Sequence, residues 1–129
     1  MRLEWTMNRT AQYVATALIL SSVQGVALAQ YTGAALNEHL DRWADMTGKT
    51  RVLTENEIAQ GAAGYAFVMG AASMGDRVFY CIPLHDKSNL QVVAVVRGFL
   101  AANPQRWHEP PVDLIRDALG KAFPCRNER

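Results

Sequence analysis

Residues 1–29 differ so sharply from the rest of the chain that they set how much of it is left to fold. Arg2 and Arg9 give a basic start, Val14-Ala15-Thr16-Ala17-Leu18-Ile19-Leu20 is an apolar run, and Ala27-Leu28-Ala29 has the small-x-small pattern that signal peptidase reads. Met7-Asn8-Arg9 offers a shorter start of the same kind. The competing reading is a membrane anchor, but spanning a bilayer core of about 30 Å takes about 20 apolar residues. This run is shorter, and Ser21, Ser22 and Gln24 interrupt it. The pattern predicts a cleaved signal peptide at 1–29, cut between Ala29 and Gln30, and a periplasmic domain at 30–129 that spans no membrane.

A remainder of that size holds a single domain. The chain has 13 Lys and Arg against 12 Asp and Glu; Arg2, Arg9 and Glu4 leave with the leader, so 11 of each remain. A neutral domain has no basic excess to neutralise phosphates, which argues against nucleic acid as a partner. It gives no support for binding an anionic membrane surface either. The remainder keeps two cysteines, Cys81 and Cys125. In an oxidising compartment an even count reads first as a disulfide. Closing a loop of about 45 residues contributes about 4 kcal/mol in the chain-entropy estimate. That is a large share of a net stability of about 5–15 kcal/mol. The alternative, a Cys-His nucleophile, conflicts with the compartment, where an unpaired reactive thiol is soon captured.

Along the domain, Leu36, Leu40 and Trp43 recur at helical spacing, with Glu38, Asp41, Arg42 and Asp45 off that face, so residues 32–45 read as a helix. Thr47-Gly48-Lys49-Thr50 breaks it. Thr54 with Glu57 three residues on is a capping box, and predicts a second helix running through Gly61 and Gly64 to about Ala72. Residues 73–77 read as a polar turn, and residues 78–83 as an extended connector, since a lone short strand has no partner. Ser88 caps a third helix, 89–102, whose apolar residues cover most of its circumference and predict the most buried helix. Its Val92, Val93, Val95 and Val96 would suit a strand equally well; length and the Ala/Leu-rich end favour the helix. Asn103-Pro104 stops it. Pro110 and Pro111 open a last helix with the stripe Leu114, Ile115, Ala118, Leu119, Ala122 and Phe123. The expected fold is all-α, a small four-helix bundle stapled by one disulfide.

No catalytic constellation is legible: the chain has no Gly-rich phosphate loop, nucleophile elbow, H-E-x-x-H or C-x-x-C. His39, His85 and His108 each have an acidic sequence neighbour, but no pair has metal-ligand spacing, so neither a metal nor a cofactor is expected. Trp43, Phe67, Phe99 and Phe123 fall on apolar stripes and read as core. Trp107, between Arg106 and His108 in a proline-bounded connection, is either a lid over the core or an exposed anchor of the kind that dominates interface energies. An exported bundle without a catalytic site is expected to bind rather than to convert, hence not to be an enzyme.

The block Cys81-Ile82-Pro83, Leu90-Gln91-Val92-Val93, Phe99-Leu100, Asn103-Pro104, His108-Glu109-Pro110, Ala118-Leu119 and Ala122-Phe123-Pro124-Cys125 resembles the Tai family of type VI secretion amidase immunity proteins. Upstream, Gly33 with Leu36 looks like that family's first helix, and Ala66-Phe67-Val68-Met69-Gly70 like its Gly-Tyr-Val-x-Gly segment. Two further cysteines common in the family are missing: Leu40 stands near one position, and residues 62–65 hold none. The resemblance implies a helical periplasmic immunity protein, often a homodimer, that binds and blocks a peptidoglycan amidase effector. The residues expected at the partner are Ser73, Asp76 and Arg77 in one loop, and Arg106, Trp107 and His108 in another. The alternative function is a periplasmic acid-stress chaperone of the HdeA type, which is also small, helical and bridged.

Overall fold

The helix signals in the sequence are hydrogen bonds in the computed structural model, which describes residues 30–83 and 88–126. The signal peptide expected at 1–29 and the His85-Asp86 pair lie outside these residues. Helix α1 (Gly33–Gly48) starts at Thr32, whose side chain accepts from the Ala35 N–H, and ends where Lys49 turns left-handed at φ 51°. Helix α2 (Glu55–Gly75) opens with the full capping box: Glu57 N–H donates to Thr54 Oγ1, and Thr54 N–H donates to Glu57 at 2.9 Å. Helix α3 (Asn89–Ala102) opens with the same device, built from Ser88 and Gln91. A 3-10 turn, Pro104–Arg106, leads to helix α4 (Pro111–Ala122), which begins on proline because the first turn needs no N–H partner there.

Four helices and one disulfide make an all-α unit, with no strand among the described residues. The core takes Leu36 and Leu40 from α1, Val68 and Ala72 from α2, Val92, Val93, Val96 and Leu100 from α3, and Leu114, Ile115, Ala118 and Leu119 from α4. Each large side chain so buried contributes about 1.5–3 kcal/mol. The valine-rich run of α3 is helical because its buried positions fall on one helical stripe. A strand would send Val92 and Val93 to opposite faces.

Three expectations shift. Helix α2 runs one turn further than the sequence suggested, so Ser73 is helical, its hydroxyl donating to the Met69 carbonyl at 2.8 Å. The turn proper is at 76–80, closed by a bridge between Asp76 and Tyr80. Helix α3 is not the wrapped centre: Leu90, Gln91, Ala94 and Gly98 face out, leaving it an ordinary one-sided helix. Residues 78–80, expected in an extended connector over 78–83, lie in the turn at 76–80, while 81–83 form no regular element, and Cys81 is bonded to Cys125 with the Cα atoms 4.8 Å apart. Beside the bridge, the Cys81 N–H donates to the Phe123 carbonyl at 2.9 Å, so the end of α4 is tied to the connector twice.

The α1–α2 pair has the most extensive helix–helix contact in the unit, and glycine lets the two helices come close. A Cβ on Gly61 would stand 2.9 Å from the Trp43 backbone nitrogen, and one on Gly64 2.7 Å from His39 Cβ. With both absent, the helices approach until Trp43 stacks on Tyr65, ring centroids 4.3 Å apart. Arg51, between the two helices, donates to Asp45 and Glu57 at 3.0 and 2.8 Å. Its bond to Glu57, joined by the Thr54 N–H, holds that carboxyl down to about 2. No described helix is long and apolar enough to cross a membrane.

Candidate functional site

The two expected contact loops do different work. In the 104–109 connection, Arg106 meets both oxygens of Glu109 at 2.7 Å and Asp117 of α4 at 2.7 Å. The pair with Glu109, first, and then Asp117 raises the Arg106 pKa, and the guanidinium in turn lowers that of Glu109. Its cation also sits 5.6 Å from the centre of the Phe99 ring. Trp107 donates its indole N–H to the Leu100 carbonyl at 2.9 Å and packs on the core, which is the lid arrangement. The carbonyls of Trp107 and Glu109 accept from the N–H groups of Ala34 and Gly33, at 2.9 and 3.0 Å. They satisfy donors that the first turn of α1 would otherwise leave unpaired. Gly33 has to be glycine here, since a Cβ would run into Leu114 and the Trp107 backbone. Of this trio, His108 alone is exposed.

The other loop is held from below and open above. Tyr80, almost fully buried, donates its hydroxyl to the carbonyls of Ala71 and Ala72 at 2.9 and 3.2 Å, against the Cβ-free face of Gly75. Burial raises its pKa. Asp76 accepts from the Ile82 N–H at 2.9 Å, and the Arg77 N–H donates to the Tyr80 carbonyl at 2.7 Å. Arg77 itself is left-handed at φ 64°, a conformation that costs about 1–2 kcal/mol away from glycine. These ties fix the turn while leaving its tip in solvent.

Around that tip lies the main concentration of exposed apolar surface among the described residues: Met74 is 84% exposed, Val78 68%, Phe79 61% and Val112 53%. Met74, Phe79 and Val112 border a groove of about 540 Å³ between the second half of α2 and α4, with Ala66, Gly70 and Ala71 as its floor. The turn rests on α4, the Phe79 carbonyl 3.8 Å from where a Cβ of Gly120 would be. None of Ser73, Asp76 and Arg77 lines that groove. Ser73 and Asp76 border a separate small depression with Met69, Ile82 and Asn89 on the α3 side of α2, Arg77 borders another beyond the turn, and Arg106 and Trp107 are held in structural work. Met74, Phe79 and Val112 were not singled out in the sequence. The available signal was α2 itself, apolar around its whole circumference after Gln60, which leaves an uncovered stripe on a helix in a small bundle. No described group of three or more His, Cys, Asp and Glu side chains is placed to hold a metal.

Residues 32–125, which run from the cap of α1 to the bridged Cys125, match the Rap1a immunity proteins. The chain belongs to this family. Rap1a immunity proteins are a type VI secretion immunity family, so the resemblance read from Cys81 to Cys125 was right at that level and resolves to Rap1a. Because the Rap1a match spans all four helices, the groove and both loops fall inside it. No curated protein matches the chain.

Proposed function

We propose that this protein is a periplasmic immunity protein that binds and blocks a peptidoglycan amidase effector of a type VI secretion system. The Rap1a match over 32–125 carries the reading. The Cys81–Cys125 bond supports the compartment, because such bonds persist where the surroundings oxidise. Inhibition by occupying a cleft calls for no catalytic group. It calls for a rigid surface with a few exposed anchors, and nanomolar affinity needs about 12 kcal/mol from them.

Of the six expected contact residues, Ser73, Arg77 and His108 are exposed, and we assign direct contact with the effector to them. Asp76, Arg106 and Trp107 are engaged in holding their turns, and in this reading they contribute through those turns. The test is an amidase assay with the purified protein and a type VI amidase encoded beside its gene. Hydrolysis of peptidoglycan stem peptides stops at one immunity protein per enzyme. Unchanged hydrolysis, with binding no tighter than to an unrelated helical protein, would falsify the reading.

A further inference from the structure

We infer that the groove between α2 and α4, with the basic cleft on the far side of the turn at 76–80, docks an effector segment presenting a bulky apolar side chain beside carboxylates. The partner's identity rests on the immunity reading; the site is read from this chain alone. The groove supplies the apolar half. Gly70 forms an open floor, since a Cβ there would meet nothing within 4 Å, and Met74, Phe79 and Val112 stand around it. A depression of this kind takes one large side chain, and such anchors carry most of an interface's energy.

The charges supply the other half. Arg116 is the one charged residue lining the groove, its cation 6.0 Å from the Phe79 ring centre. Beyond the turn, Arg77 and Arg126 line a second depression with Cys81, Pro83 and Phe123, and among the described residues no carboxylate lines either one. Arg77 has 70% of its side chain exposed and meets Asp76 only at 3.8 Å. Asp76 is already engaged with the Ile82 N–H. Asp113 and Asp117 do pair with Arg116, at 3.1 and 3.6 Å, but Asp117 is also held by Arg106. An apolar anchor flanked by basic side chains is complementary to an apolar residue flanked by acids. The turn between the two depressions is fixed by Tyr80 and the disulfide, so little ordering is left for binding to require.

The protein isolated after export is titrated, under two-dimensional NMR, with the blocked peptide acetyl-Gly-Leu-Trp-Glu-Asp-Gly-amide and with a counterpart carrying lysine for both acids. The acidic peptide shifts resonances of Gly70, Met74, Phe79 and Val112. The lysine peptide and the Val112→Glu variant bind about tenfold more weakly, and Arg77→Glu several-fold. Leu90→Glu, on the exposed side of α3, changes nothing. Absence of shifts at about 1 mM peptide, shifts elsewhere, or equal binding of the lysine peptide overturns the inference. So does a self-association of the protein that Val112→Glu abolishes, which makes the groove an interface between copies. An amidase held equally by wild type and Val112→Glu removes the docking site and leaves the immunity function. A peptide seated in the groove with no amidase bound does the reverse.

Discussion

Helix α2 carries glycine on two of its faces, and the two faces have opposite fates. Gly61 and Gly64 lie under α1, where a Cβ would collide with the Arg42–Trp43 backbone and with His39. Gly70 looks into the groove and has open space. The same residue type therefore allows close helix packing on one side and leaves a shallow receptor on the other. Small residues on a helix announce a close approach without saying whether the approaching partner belongs to the chain.

The largest expected effect concerns the groove side. Replacing both cysteines, Cys81→Ser with Cys125→Ser, lowers stability by about 2–5 kcal/mol in denaturant titration. If the midpoint hardly moves, the bridge is not what holds the turn against α4. Next come the covered glycines: Gly61→Ala and Gly64→Ala each cost about 1–3 kcal/mol, overpacking outweighing the helix-propensity gain. Gly70→Ala has the opposite sign, a gain of about 0.5–1 kcal/mol, since an uncrowded helical glycine gives up only entropy. Equal signs at all three positions would erase the contrast between the faces.

The smallest effect separates the two sides by pH. Glu57, at the α1–α2 side, is held at about 2 against 4.5, chiefly by Arg51. Asp45 is also lowered, first by Thr50 and then by Arg51. Because the folded values lie below the unfolded ones, this contribution is present above about pH 4.5 and is lost as pH falls toward 2. Urea midpoints should drop across that window, and Glu57→Gln should flatten part of the slope. A slope unchanged in the variant places the acid sensitivity elsewhere.

Much of the fold was legible because its signals are local. Thr54 with Glu57, Ser88, and Pro110-Pro111 marked helix starts, each needing only residues within one turn. The end of α2 was misjudged because Ser73 looks like a turn residue, yet its hydroxyl bonds back to Met69 and the helix continues. Tyr80, the largest fully buried side chain among the described residues, carries no local signal, since it bonds the backbone carbonyls of Ala71 and Ala72, which any sequence offers. Arg106 and Trp107 had the residue types of an interface. Their commitment to Glu109, Asp117 and Leu100 became visible only with the helices in place.

The sequence alone determined where helices start, which two cysteines pair and which family the pattern approaches, because these depend on neighbouring residues or on a count. Only the tertiary structure decided which apolar stripe of α2 is covered. Both stripes are built from small and apolar residues, so composition could not rank them. Helix α1 covers Gly61 and Gly64, while α4 and the Tyr80 turn stand beside Gly70 without filling the space above it.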